Sequence, residues 1–212
     1  MHIEFIDLLR CPADHEDSWL VAAVTKMDGR IVVEAKLGCP VCEASYFVRE
    51  GVAVFDENSP GDDAAHKRSV DSPSPADADT AMKLAAFLDL SRPGALALLT
   101  GDWARASQAV ADLTGARIIS LNATRATRRL EDVAEIRGPG RVAVADRSLD
   151  GVALDSGHST PSMLDEVARL LRPRGRLIAA ASAQLPPQFR ELARDQDNVV
   201  AEYVGELVSL RR

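Results

Sequence analysis

From Ala81 onward the chain alternates between two hydrophobic periods, and this alternation restricts the fold more than any other feature. Residues 95–99, 117–121, 141–145, 151–154 and 176–181 are short apolar runs, the mark of buried strands. Residues 82–90, 103–113, 123–136, 161–171 and 187–194 carry helical spacing. Gly115 supplies a C-terminal stop, Gly138-Pro139-Gly140 a break, and Pro161 a helix start. Residues 199–203 and 206–210 read as a closing hairpin around Gly205. Strands that alternate with helices imply a mostly parallel sheet covered on both faces. The expected class is therefore a Rossmann-like α/β sheet with a terminal antiparallel strand. Aromatic residues are only 4% of the chain against 46% apolar, so the core must be built from Ala, Val, Leu and Ile.

Ahead of that region the pattern differs. Residues 1–56 hold all three cysteines and four short strand-like runs, 19–24, 30–35, 45–48 and 52–55. Met27-Asp28-Gly29-Arg30 is a hairpin turn, because Asp-Gly tolerates the positive backbone angles it needs. Residues 57–80 are rich in Pro, Ser, Asp and Ala and nearly free of large apolar side chains. Such a stretch buries too little surface to offset chain entropy and reads as a linker, with one short helix over 64–70. The expected organisation is a small β-rich domain (1–56), a linker (57–80) and an α/β domain (81–212).

The cysteines are spaced for a metal. Cys39-Pro-Val-Cys42 is a knuckle whose tight turn aims two thiolates at one tetrahedral ion. Cys11-Pro-Ala-Asp14 is the matching segment, with Asp14 where a second cysteine would stand and His15 beside it. Zinc accepts thiolate, imidazole and carboxylate, so Cys11, Cys39 and Cys42 with either His15 or Asp14 complete a structural site. The alternative is that the metal has been lost and the cysteines remain as reduced, half-buried residues. Three cysteines, an odd number, argue against a disulfide framework.

The motifs IDLLRCPAD, LGCPVC and YFVREGVAVF resemble the small zinc-ribbon proteins that bind and activate methyltransferases. Members of that family read LLRCPxC, LxCxxC and YPVRDGIPVLL; this chain departs at Asp14 and Phe47. The resemblance implies a zinc-ribbon-like fold that stabilises a methyltransferase partner through a strand edge and an apolar patch. Further on, ADRSLDGVALDSGHS and DEVARLLRPRGRLIAA resemble the fourth strand and the helix, turn and fifth strand of class I S-adenosylmethionine-dependent methyltransferases. There the family has DxSFDxV and EIxRVLKPGGRLVI.

That second resemblance implies where a cofactor would sit. LALLTGDWA takes the place of the first strand and its glycine-rich turn, which lets the backbone approach the ligand. Only Gly101 remains; Asp102, Trp103 and Ala104 carry side chains into that space. At the end of the second strand, where the family places a ribose-binding acid, stands Asn122, which can hydrogen-bond or cap the next helix. Asp146 holds a position that faces the adenine in the family pattern, and reads equally as a turn residue. Asp155 and His158 follow the fourth strand, where ligands of open α/β sheets sit, and His158 has the reference acidity of a general base.

Two functions follow. In the first, a methyltransferase-fold protein with a degenerate cofactor loop serves as a non-catalytic binding or scaffold module, with a protein partner such as another methyltransferase. In the second, an active S-adenosylmethionine-dependent enzyme carries a built-in activator domain. The altered Gly101–Trp103 turn and Asn122 together favour the first. A net charge of −7 disfavours direct nucleic-acid binding; Arg125, Arg128 and Arg129 are the best candidate basic patch, with a solvated helix face as the alternative. No run approaches the roughly 20 apolar residues of a membrane span, and the N-terminus lacks a signal-peptide core, so the expected location is cytoplasmic.

Overall fold

A computed structural model describes residues 1–56, 75–123 and 131–205, with backbone alone at 75–77. The basic cluster at 125–129, the short helix at 64–70 and the strand at 206–210 lie outside the described residues.

A 3-10 turn over Ile3–Leu8 leads into four antiparallel strands, β1 (Val21–Asp28), β2 (Ile31–Gly38), β3 (Ser45–Arg49) and β4 (Val52–Val54). The Met27–Arg30 turn forms as expected: Asp28 pairs with Ile31, and Gly29 takes a φ of 56° between them. Helix α1 (Pro75–Phe87) follows, so helical structure begins inside the stretch read as linker. Then come β5 (Leu96–Thr100), α2 (Ser107–Thr114), β6 (Arg117–Leu121), β7 (Val133–Arg137), β8 (Leu149–Ala153), α3 (Pro161–Leu170), β9 (Leu171–Ala180), β10 (Phe189–Arg194) and β11 (Asn198–Tyr203).

The eleven strands of the described residues form one sheet in the order β1-β2-β3-β4-β7-β6-β5-β8-β9-β11-β10. Its centre is parallel: β7, β6, β5, β8 and β9 run the same way, and β11 returns antiparallel beside β9. Counted from β5, the order is 3-2-1-4-5-7-6, a doubly wound α/β sheet. Strands β5 and β8 are buried at every position, as a parallel sheet covered on both faces requires.

The β-rich segment is continuous with this sheet. β4 pairs in parallel with β7, matching Val52 to Glu135, Ala53 to Ile136 and Val54 to Arg137. One apolar cluster runs through both regions, joining Leu37, Val48 and Ala53 to Leu98, Ile136 and Leu154. Residues Leu8–Arg10 also lie against the loop before β8: Arg10 N donates to Ala143 O at 3.1 Å and Ala145 N to Leu8 O at 2.9 Å. On the opposite face, Leu84 of α1, Leu88 just beyond it and Val110 of α2 pack over Ala97, Leu99 and Ile118.

Three expectations are corrected. Residues 133–136 are strand, because Val133–Arg137 fills the slot between β6 and β4, and this pairing outweighs local helix propensity. Residues 142–145 are buried, but 141–145 form no strand. Val144 makes one isolated bridge to Leu9, and other backbone groups there bond to Glu166 and Arg169 side chains. Residues 189–194 are strand β10, not helix: they pair along β11, and the Phe189 and Tyr203 rings sit 5.6 Å apart.

Candidate functional site

In an open α/β sheet a ligand lies beyond the carboxyl ends of the strands, where the winding reverses. Here that point is between β5 and β8. Thr100-Gly101 leaves the first, and Leu154-Asp155 leaves the second. Gly101 has a φ of +47°, a conformation that favours glycine.

The space against that glycine is taken by the chain itself. A Cβ on Gly101 would lie 2.5 Å from Asp155 Cγ and 3.0 Å from its Oδ1. The Asp155 carboxylate is held by several donors. Thr100 Oγ1 donates to Oδ1 at 3.2 Å, His158 N at 3.2 Å, and the His158 ring nitrogen Nδ1 lies 2.5 Å away. Thr100 Oγ1 also accepts from Asp155 N at 3.1 Å. Burial opposes the charge on Asp155, but the His158 ring, Thr100 and the Asp102 backbone N–H hold its carboxyl below the usual 3.8. Trp103 lies across the same end, its indole N–H donating to Leu154 O at 3.2 Å. Asp102 is exposed, and its side chain makes no capping bond to the turn that follows.

The remaining candidates separate. Asn122 sits at the end of β6 with a φ of 49°, and both ends of its amide are used. Nδ2 donates to Gly138 O at 3.0 Å, and Oδ1 accepts from Gly138 N at 3.1 Å, tying β6 to the loop after β7. Of the two readings of Asp146 the structure shows the turn: it lies in the turn before β8, at the amino-terminal end of that strand, and not beside Gly101. Arg169 holds it there, together with Glu166. Asp155 and His158, read separately from the sequence, are brought into direct contact. Thr100 was missed as a partner, although its place beside Gly101 at a strand end was a usable signal.

At the other candidate site, the ligand atoms of Cys11, His15, Cys39 and Cys42 all lie within 4.8 Å of one another. Cys11 Sγ and Cys42 Sγ are 3.7 Å apart, and Cys39 Sγ and His15 Nε2 are 3.4 Å apart. Tetrahedral zinc with its usual bond lengths requires about 3.8 Å between sulfurs and about 3.5 Å between sulfur and nitrogen. The donor set therefore fits zinc. His15 Nδ1 lies 2.6 Å from Glu16 O, a contact that places the proton on Nδ1 and leaves Nε2 free for a metal. Asp14 is exposed and stands outside this group, whereas His15 lies within it. Burial opposes a Cys39 thiolate, but the backbone N–H groups of Cys42 and Val41 bring its acidity to about 6. Burial pushes the Cys11 thiol up.

The strand order and the crevice define a Rossmann-like, doubly wound α/β protein. No protein-family model matches the chain, and no curated protein matches it in sequence. Among solved structures it is similar to the MycE methyltransferase of the mycinamycin pathway, in complex with Mg and S-adenosylhomocysteine. There the TM-score is 0.47 and the identity 13%, over 67% of this chain and 53% of that one. The antibiotic-resistance methyltransferase Kmr gives a TM-score of 0.42 at 16% identity, over 66% and 97%. A Burkholderia thailandensis 1,6-didemethyltoxoflavin-N1-methyltransferase gives 0.38 at 19% identity, over 62% of each. This chain thus spans about half to three-fifths of the length of two of these three. Among the described residues no helix is long and apolar enough to cross a membrane.

Proposed function

We propose that this protein is a non-catalytic binding or scaffold module built on the methyltransferase fold, with a structural zinc centre in its β-rich part. The observation that carries the reading is the Asp155 carboxylate packed against Gly101, in the space a cofactor needs for close approach to the backbone. Trp103 across the strand ends and the fully engaged Asn122 amide support it. Zinc held by Cys11, His15, Cys39 and Cys42 would cross-link the turn after the first segment to the knuckle after β2, and so contribute to folding.

The β-rich part serves its own chain in this reading. The resemblance to methyltransferase activators implies docking through a strand edge, and β4 makes such a pairing with β7. A protein partner would then meet the exposed apolar side chains near the knuckle. Trp19 is 68% exposed, Val21 65% and Val41 48%, and Val21 pairs with Gly38 directly before Cys39.

A second reading rests on the Asp155–His158 contact. A carboxylate that receives Nδ1–H leaves Nε2 as a base, the arrangement that orients histidine in acid–base catalysis. In that case the crevice would open and S-adenosylmethionine would displace Asp155 from Gly101. Thermal unfolding with S-adenosylhomocysteine separates the two. A ligand present at 100 times its dissociation constant stabilises by about 2.7 kcal/mol, a shift of several degrees. The scaffold reading predicts no shift at millimolar ligand, and a clear shift supports the enzyme.

A further inference from the structure

At the end of the sheet opposite the crevice, three arginines converge on one cavity. Strand β9 opens Leu171-Arg172-Pro173-Arg174-Gly175-Arg176. Arg172, Arg174 and Arg176, with Pro173, Asp89 and Glu202, line a cavity of about 360 Å³, within the range of small-ligand sites.

Both acids on its wall already have partners. Asp89 lies 3.5 Å from Arg176 and accepts from Ser91 at 3.1 Å, and Glu202 pairs with Arg190 at 2.9 Å. The buried Asp150 nearby is shared by two guanidiniums, Arg92 at 2.8 Å and Arg172. Among the described residues, Arg92, Arg172, Arg174 and Arg176 thus answer to only two carboxylates, Asp89 and Asp150. In a chain of net charge −7 this is a local excess of positive charge.

Arg174 is the informative residue. It is exposed and, among the described residues, has no ion-pair or hydrogen-bond partner. Its φ is +68°, the left-handed region in which glycine is unstrained and a larger residue is not. The methyltransferase motif this segment resembles has Pro-Gly-Gly at this turn. The neighbouring Gly175 is confined by packing, since a Cβ there would meet Arg172 O and Leu171 Cδ2 at 2.9 Å each. An arginine held against its backbone preference, at the mouth of an arginine-lined cavity, points to a use for its side chain.

We propose that this cavity binds a small phosphate-bearing anion, a phosphomonoester or pyrophosphate. The planar guanidinium fork matches phosphate oxygens in pairs, and Arg174 has every donor available. The acidity of the whole chain weighs against a nucleic-acid backbone as the source of the phosphate.

The test is a calorimetric titration of the full chain with pyrophosphate at about physiological ionic strength, repeated with Arg174→Gly. Saturable binding by the wild type, weakened about tenfold or more in Arg174→Gly, is expected. That variant should melt at the same temperature or higher, because glycine relieves the left-handed strain. Absence of saturable binding overturns the proposal, as does equal affinity in the variant. A single-stranded oligonucleotide that binds more tightly than pyrophosphate, and competes with it, would overturn the assignment to a small anion.

Discussion

Replacing Asp155 with Asn keeps the shape of the side chain and removes its charge. The carboxylate receives bonds from Thr100 Oγ1, His158 N and the His158 ring. Hydrogen bonds to a charged group contribute roughly 1.5–3 kcal/mol net. The Asp155 and His158 side chains are 21% and 24% exposed, so solvent screens part of this, and about 1–2 kcal/mol is expected. In a chain of this size that lowers the melting temperature by roughly 2–8 °C. The pH dependence has a definite sign. The folded-state carboxyl is held below the ordinary 3.8, so its stabilisation is fully present above that value and is lost as pH falls through the lower, folded-state value. Denaturant unfolding of wild type and Asp155→Asn at a series of pH values measures the difference directly. The difference should be constant near neutrality and shrink toward zero in acid. A difference that persists unchanged below 3.8 would refute the assignment of a charged Asp155 at this site.

Other consequences can be checked in the same preparation. Purified protein should carry about one equivalent of zinc. His15→Ala should weaken zinc binding by more than the roughly 10–100-fold of an outer-shell change, while Asp14→Ala leaves it unaltered, as read by competition with a chromophoric chelator. Asp150→Ala should cost about 1–3 kcal/mol in denaturant unfolding, because the buried Leu96 N–H loses its acceptor, while the partly exposed Arg92 and Arg172 stay solvated. Gly138→Ala should cost about 1–3 kcal/mol, because its Cβ would lie 2.9 Å from Phe55 Cβ where the β-rich segment meets the loop after β7.

Much of the fold was legible in the sequence for physical reasons. The apolar runs read at 95–99, 117–121 and 151–154 fall on β5, β6 and β8, strands of a sheet buried on both faces, where such runs signal strands whatever their surroundings. The Pro161 start and the Thr160 cap, which accepts from Met163 N, are local devices that mark a helix directly. The misread segments owe their structure to distant partners. Val133–Arg137 contains Ala and Glu but is held between β4 and β6, and Phe189–Arg194 is held by β11. The pairing of β4 with β7 joins residues about 80 apart, and no local pattern announces it. At the candidate sites, residue types were readable but their contacts were not. The Cys-x2-Cys spacing foretold a knuckle, whereas the choice of His15 over Asp14 depends on how the turn after Cys11 aims each side chain. Asp146 left two readings open, because a motif position gives the strand but not which end of it the side chain occupies.

The most direct test of the occupied crevice is a calorimetric titration of the wild-type protein with S-adenosylmethionine near neutral pH. With Asp155 against Gly101 and Trp103 bonded across to Leu154, no saturable heat is expected at micromolar to millimolar ligand. A dissociation constant in the micromolar range, about −8 kcal/mol of binding free energy, would contradict the scaffold reading and restore the enzyme.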